Sequence, residues 1–208
     1  MQSGKKKGSA FERRICRLLS KWWSGGKSRD IFWRIGSSGS VSSRAGSKQM
    51  AGDIVQVDMN YLEFPFLVEC KHVKSYDLYN LFEKERKANQ IMLWIEQCER
   101  DAKRANKIPM LVMKRNYFDA LVMIEKANSS YIKQNDFYKY LLTEINKRCV
   151  MQYFGKKTYY MMKLKDMLNI ESQGSEKYIE EQARDNIKRS RKIENTILEK
   201  IKNEFTND

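Results

Sequence analysis

One apolar run that ends in charged residues constrains the fold of this chain most strongly. Residues 66–71 read FLVECK, so Phe66, Leu67 and Val68 follow one another with no polar residue between them. A short apolar run with aromatic and β-branched members predicts a strand that is buried on both faces. Such a strand lies inside a sheet, and other layers must cover that sheet.

Hydrophobic periodicity predicts the other elements. Apolar residues recur every three or four positions from Phe11 to Trp23, which indicates a first helix that begins after Ser9. The predicted helices span 10–23, 76–82, 88–106, a short segment that ends at 169, and a charged segment at 176–204. The predicted strands span 31–35, 53–57, 66–71, 110–113, 120–124 and 158–164. This order predicts an α/β (α+β) fold in which helices flank a mixed central β-sheet, with a helical C-terminal extension.

The positive charge restricts the class of partner. The chain has 208 residues and a formal net charge of +14. Each Lys or Arg that contacts a phosphate releases condensed counterions, so nucleic acid is favoured over a membrane surface. Residues 1–50 contain six Lys and six Arg against Glu12 and Asp30. The alternative is that these cations form a solvated basic surface without a partner.

The scarcity of histidine excludes several chemistries. His72 is the only histidine, which excludes Ser-His triads and zinc sites with several histidine ligands. Catalysis would have to use carboxylates, lysine and a hard metal ion. The four cysteines are scattered singly, which predicts reduced thiols rather than disulfides. No apolar run approaches the roughly 18 residues of a membrane span, so we expect a cytoplasmic protein without membrane contact.

Three charged residues form the candidate site. Glu69 and Lys71 are two residues apart on the predicted strand, so their side chains project from the same face, and Cys70 projects from the other. Asp53 begins the preceding strand. A turn centred near residue 61 or 62 would place Asp53 opposite Glu69 or Lys71, with Cβ atoms roughly 5 Å apart. Two carboxylates and an ammonium group would then converge.

This set of groups suits phosphodiester hydrolysis. Two carboxylates can hold Mg²⁺ or Mn²⁺, which polarises a phosphoryl oxygen and acidifies a bound water. A lysine can orient that water or stabilise the negative charge that develops on the phosphate. The sequence therefore indicates a catalytic centre for a polyanionic substrate.

These residues resemble a known superfamily. Glu12, Gly52-Asp53 and Glu69-Cys70-Lys71 are similar to the motif of the PD-(D/E)xK nucleases, with Gly52 in the place of the Pro. An acidic residue on the first helix resembles the archaeal and phage Holliday junction resolvases. Runs such as AGDIVQVD and FLVECKHVKS extend the resemblance over roughly residues 8–125.

The resemblance implies a restriction-endonuclease-like fold and a magnesium-dependent endonuclease, for which Mn²⁺ can substitute. Asp53, Glu69 and Glu12 would bind the metal, Lys71 would complete the catalytic set, and Gln97 would support it. The implied unit is a homodimer that acts on DNA, including branched DNA. Contacts to DNA are expected from a Gly/Ser-rich basic loop and its flank, at Arg34, Ser37, Ser38, Arg44 and Lys48.

The same reading divides the chain into parts. The nuclease core is expected over residues 1–125, and residues 156–170 could complete it. Residues 126–155 form an aromatic and basic insertion or extension, and residues 174–208 contain the charged C-terminal helix.

Several alternatives remain open at this point. Asp53 could be a turn residue, and Glu69 with Lys71 could be a surface ion pair. Ser9 and Glu12 have the S-x-x-E spacing of a helix capping box, so Glu12 could be a cap. The whole chain could be a nicking or general DNA nuclease of the same fold, or a nucleic-acid-binding protein without catalysis.

Overall fold

A computed structural model describes most of the chain. The described residues are 4–35, 51–61, 63–78, 90–126, 136–154 and 157–171, together with positions 187 and 191. The predicted DNA contacts at Ser37, Ser38, Arg44 and Lys48 lie outside these residues. The same holds for nearly all of the predicted C-terminal helix and for residues 79–82 of the predicted helix at 76–82.

The described residues contain both helices and strands, and their order along the chain agrees with the prediction as far as β5 except at residues 76–78. Helix α1 (Gly4–Trp23) precedes strands β1 (Phe32–Arg34), β2 (Ile54–Gln56) and β3 (Phe66–Val73). The remaining elements are α2 (Gln90–Ala105), β4 (Ile108–Arg115), β5 (Leu121–Glu125), α3 (Asp136–Asn146), β6 (Val150–Phe154), β7 (Lys157–Lys163) and α4 (Leu164–Leu168). None of the helices in the described part of the chain combines the length and the apolar character that a bilayer crossing needs.

The seven strands form one mixed sheet in the order β1-β2-β3-β4-β5-β7-β6. Strands β3 and β4 are parallel, and every other neighbouring pair is antiparallel. A parallel pair needs a crossover connection, which here contains α2. The predicted α+β fold with a mixed sheet and flanking helices is therefore confirmed.

The two faces of the sheet are covered by different helices. On one face, Phe11 and Ile15 of α1 pack in a core cluster with Cys70 of β3. On the other face, Ile91 and Trp94 of α2 pack with side chains of β4 and β5. The alternation of side chains along a strand explains this division, because neighbouring residues of β3 point to opposite faces. Five consecutive residues of β3, 66–70, are buried, as the apolar run predicted.

Three sequence predictions were wrong. Helix α1 begins at Gly4, so Ser9 lies within the helix and cannot be the cap of its first turn. Residues 76–78, the described part of the predicted helix at 76–82, are not helical, and Tyr76 packs edge-on against Trp94. The sequence analysis also missed α3 and β6 within the aromatic and basic stretch.

Candidate active site

The pairing of β2 with β3 brings Asp53 beside Glu69. Ile54 pairs with Val68, and Asp53 is the residue just before this pair, close enough for its charge to act on Glu69. The backbone N–H of Asp53 donates to the carbonyl of Val68 at 2.9 Å. Its carboxylate Oδ2 accepts the backbone N–H of Cys70 at 2.8 Å. The Ile54–Val68 pair agrees with the predicted turn centred at residue 61, and the Asp53 carboxylate is held against β3 at Cys70.

Gly52 makes this close approach possible. Its φ is 85°, a conformation that L side chains rarely adopt and that proline cannot adopt. A Cβ at this position would lie 2.9 Å from the carbonyl oxygen of Val68 and 3.0 Å from Leu67. The backbone therefore explains why Gly stands where related motifs have Pro.

Glu69 is a buried carboxylate, with only 3% of its surface exposed. Burial raises its pKa, the nearby Asp53 carboxylate raises it further, and the Lys71 ammonium group lowers it, giving a pKa of about 7. A carboxyl group in this state is poised between its neutral and charged forms at neutral pH. A bound cation would favour the charged form and compensate the burial.

Lys71 and Gln97 complete a closed set of contacts with Glu69. The Lys71 Nζ donates to Glu69 Oε1 at 2.5 Å and to Gln97 Oε1 at 3.3 Å. The Gln97 amide donates from Nε2 to the same Glu69 oxygen at 3.0 Å. Glu69 and Lys71 thus project from the face that α2 covers, and Gln97 reaches them from α2. Gln97, which the resemblance implied as a supporting residue, contacts both Lys71 and Glu69.

Asp101 is a nearby acidic residue that the sequence analysis missed. It lies four residues after Gln97 on α2, so both side chains occupy the same side of the helix. Its charge contributes to the raised pKa of Glu69, after the larger effects of burial and Asp53. The spacing of Gln97 and Asp101 was the available signal, because residues four apart on a helix are neighbours.

Glu12 lies on the helix that covers the other face of the sheet. It belongs to α1, and its Oε2 accepts a hydrogen bond from Arg34 Nε at 2.7 Å. Both side chains are partly buried, with 16% of Glu12 and 29% of Arg34 exposed. The structure thus pairs two residues that the sequence analysis had assigned to different tasks, metal binding for Glu12 and DNA contact for Arg34.

His72 lies away from the candidate site, and the buried cysteines are unreactive. The His72 ring packs on Phe11 of α1, with 5.1 Å between the ring centroids, so it lies on the opposite face from Glu69. All four cysteines are free thiols, as the sequence predicted. Burial raises the pKa of Cys70 and of Cys98 well above the usual thiol value, which makes them poor nucleophiles.

The donor set fits a hard divalent cation. Among the residues that the structure describes, no three His, Cys, Asp or Glu side chains lie together as a metal-binding group. The site offers two carboxylates, those of Asp53 and Glu69. Two are enough for Mg²⁺, which is commonly held by one or two carboxylates while it keeps several waters. Burial is the largest cause of the raised pKa of Glu69, and the negative charge of Asp53 is the second.

Comparison with known proteins gives one match. The family described as "Phage putative PDDEXK endonuclease" matches residues 3–181, and neither the curated proteins nor the solved structures contain a match. The matched region extends well past residues 8–125 and includes α3, β6 and β7, so the family relationship covers the whole seven-stranded sheet. The mixed sheet with its flanking helices is the restriction-endonuclease-like core of such nucleases. The chain belongs to this family of phage PDDEXK endonucleases.

Proposed function

We propose that the protein is a magnesium-dependent endonuclease that hydrolyses phosphodiester bonds of DNA, with Mn²⁺ able to replace Mg²⁺. One observation carries this proposal. The Asp53 carboxylate is bound to the backbone N–H of Cys70, the neighbour of Glu69, and the Lys71 ammonium group lies 2.5 Å from Glu69. Family membership supplies the reaction class.

Asp53 and Glu69 would hold the metal. When bound there, the cation polarises a phosphoryl oxygen and lowers the pKa of a coordinated water. Asp53 is oriented for this task by the Cys70 N–H that its Oδ2 accepts. Glu69 is kept in place by Gln97 and Lys71, so neither carboxylate needs to reorganise when the cation arrives.

Lys71 would act on the reacting groups. Its ammonium group has three N–H donors, two of which point to Glu69 and Gln97. The third can donate to the attacking water or to a non-bridging phosphate oxygen. Gln97 is a positioning residue, because it fixes both Lys71 and Glu69 through a single amide.

Glu12 and Arg34 would act at the rim of the site. Because Glu12 is ion-paired with Arg34, we assign Glu12 the role of fixing Arg34, whose guanidinium can contact a DNA phosphate. The alternative role of Glu12 as a third metal ligand requires that this ion pair breaks.

The finer details rest on resemblance. With an acidic residue on its first helix, the chain resembles the junction resolvases. This resemblance favours branched DNA as the substrate and a homodimer as the active unit. A phage enzyme of this kind would work on DNA in the cytoplasm of the host cell.

A cleavage panel tests the proposal. Purified protein is incubated with four-way junctions, forks and linear duplex DNA, with Mg²⁺, Mn²⁺ or EDTA. We expect cleavage in Mg²⁺ and none in EDTA, and a loss of about a hundredfold or more in Glu69→Ala and Lys71→Ala. Glu63→Ala is the matched control, since Glu63 also pairs with a lysine but is exposed at the opposite end of β3.

Each alternative predicts a different result. A binding protein without catalysis would bind DNA and leave it intact in every metal. A nicking or general nuclease would cleave the three substrates at similar rates, which would refute the preference for branched DNA. If the Lys71→Ala variant cleaves DNA at the wild-type rate, the proposed mechanism is wrong.

Calorimetric titration with Mg²⁺ separates the two roles of Glu12. We expect Glu12→Gln to bind Mg²⁺ as the wild type does and to bind DNA more weakly, whereas Asp53→Asn loses the metal. If Glu12→Gln also loses the metal, Glu12 is a ligand rather than the partner of Arg34.

A further inference from the structure

The turn between β4 and β5, residues 116–120, presents two neighbouring aromatic side chains to solvent. Tyr117 is fully exposed, at 101% of its reference surface, and Phe118 is 52% exposed. Aromatic side chains are usually buried, because they bring a large apolar area to a core or an interface. Two adjacent exposed rings at the tip of a turn therefore indicate a surface that binds another molecule.

The backbone of this turn disfavours the residue that occupies its tip. Tyr117 has a φ of 66°, in the left-handed region. The other non-glycine residue with positive φ in the described part of the chain is Asn106, a residue type that tolerates this conformation well. A bulky tyrosine does not tolerate it well. The chain thus places a ring where the turn alone would favour Asn or Gly, which points to a use for the ring.

Both flanks of the turn make side-chain contacts. The Arg115 guanidinium carbon lies 3.5 Å from the centroid of the Phe118 ring. On the other side, the Lys7 ammonium group donates to the side chain of Asn116 and to the carbonyl of Val73. A side chain on a rigid support loses little conformational freedom when it binds a partner.

The charges around the turn favour a polyanion. Lys74 is exposed beside the turn, and Lys114 precedes it. The one acidic residue within the turn, Asp119, is paired with Lys163 at 3.2 Å and with Lys165 at 3.4 Å. The surface near Tyr117 is therefore basic, and aromatic rings among cations are typical of surfaces that bind single-stranded nucleic acid.

The turn lies within reach of DNA bound at the candidate active site. Glu69 pairs with Leu111, and Val73 pairs with Arg115, so β4 continues for four residues beyond the level of Glu69. At about 3.3 Å per residue the turn is within about 20 Å of the carboxylates. This is less than one turn of duplex DNA, roughly 34 Å.

We propose that residues 114–118 form a second DNA-binding site, in which Tyr117 stacks on an unpaired base while the adjacent Lys and Arg side chains contact phosphates. The proposal rests on the DNA substrate inferred above. In a continuous duplex both faces of each base are covered by neighbouring base pairs. A ring on a fixed turn therefore finds a base to stack on only at a gap, a fork or a junction.

Binding measurements without cleavage test this proposal. Fluorescence anisotropy with Ca²⁺ in place of Mg²⁺ gives affinities for a duplex and for the same duplex with a short single-stranded gap. We expect Tyr117→Asn to bind the gapped DNA about tenfold more weakly and to bind the duplex as the wild type does. Tyr117→Phe keeps the ring and should retain affinity. A 2-aminopurine base in the gap should be quenched by the wild type and by Tyr117→Phe only.

The controls separate stacking from loss of structure. Tyr117→Asn should unfold at the same temperature as the wild type or above it, because Asn suits the left-handed φ. Met59→Asn removes an exposed side chain from the turn at the opposite end of the sheet and should change neither affinity. The proposal is overturned if the Tyr117→Asn variant binds gapped DNA as tightly as the wild type does. It is also overturned if the variant loses the same affinity for gapped DNA and for the duplex. Because no cleavage is measured, this outcome is independent of whether Glu69→Ala abolishes cleavage.

Discussion

At the scale of single residues, Glu69 carries the free-energy cost of the proposed metal site. Its carboxyl group is buried and lies close to the Asp53 carboxylate, and two side chains hydrogen-bond to it. In the folded chain without a cation this arrangement is unfavourable, because a buried carboxylate lacks the solvation that it has in water. A divalent cation held by the two carboxylates, as proposed above, would offset this cost.

The free-energy cost of burying a charged Glu69 carboxylate predicts how the stability of the protein depends on pH. The pKa of Glu69 is raised from 4.5 to about 7, so the folded chain holds a proton that the unfolded chain releases. The free energy of unfolding of the metal-free protein should therefore fall as the pH rises from about 4.5 to about 7. Relative to Glu69→Gln, which cannot ionise, the wild type should lose on the order of 3 kcal/mol across this range.

Urea unfolding in EDTA at several pH values measures this effect. Parallel pH profiles for the wild type and Glu69→Gln would contradict it. Saturating Mg²⁺ should restore the stability of the wild type at pH 8 and should have a smaller effect on Glu69→Gln.

At the scale of the elements, the β2–β3 pairing determines the site, and Gly52 determines the pairing. The tight approach of residue 52 to Val68 allows the next residue, Asp53, to lie against β3 with its carboxylate beside Glu69. A side chain at position 52 would push the two strands apart at the point where the carboxylates meet.

Gly52→Ala tests this dependence. The new Cβ would lie 2.9 Å from the Val68 carbonyl oxygen, and φ would remain strained at 85°. We expect a loss of about 2 kcal/mol or more in the free energy of unfolding, together with weaker Mg²⁺ binding. Gly8→Ala is the matched control, because its Cβ meets only Glu12 at 3.8 Å. On helix α1 it should stabilise the protein by up to about 1 kcal/mol. Unchanged metal affinity in Gly52→Ala would contradict the role of the glycine.

The sequence predicted the elements that local patterns encode. The run at 66–71 indicated a buried strand, and the turn near residue 61 predicted the register of Asp53, because both depend on residues close in the chain. The ion pair of Glu12 with Arg34 joins residues 22 positions apart, so no local pattern indicated it. Helix α3 was missed although Leu141 and Ile145 are buried four residues apart, because aromatic and lysine residues obscure the period around them.

At the scale of the whole molecule, the net charge of +14 predicts the salt dependence of DNA binding. Arg13, Arg14 and Arg17 are exposed on α1 and are candidates for phosphate contacts. The logarithm of the binding constant should fall linearly with the logarithm of the salt concentration. Removing one phosphate contact should reduce the slope by about one.

Anisotropy titrations at several salt concentrations check this expectation. Arg13→Ala should reduce the slope, whereas Arg148→Ala should not, because Arg148 already pairs with Glu144 at 2.8 Å. If the wild type and all the α1 variants show the same slope of binding constant against salt concentration, the DNA binds to another surface.

The parallel pairing of β3 with β4 also has a consequence for protein synthesis. Asp53, Glu69, Lys71 and Gln97 leave the ribosome before Leu111 and Met113, the β4 residues that pair with Glu69 and Lys71. Until β4 has been translated, β3 lacks one of its two neighbours, and the sheet on which α2 packs is incomplete. An interrupted chain that ends before residue 108 would therefore contain every proposed catalytic residue without the sheet that positions them. Assembly of the candidate site therefore has to wait until β4 has been translated.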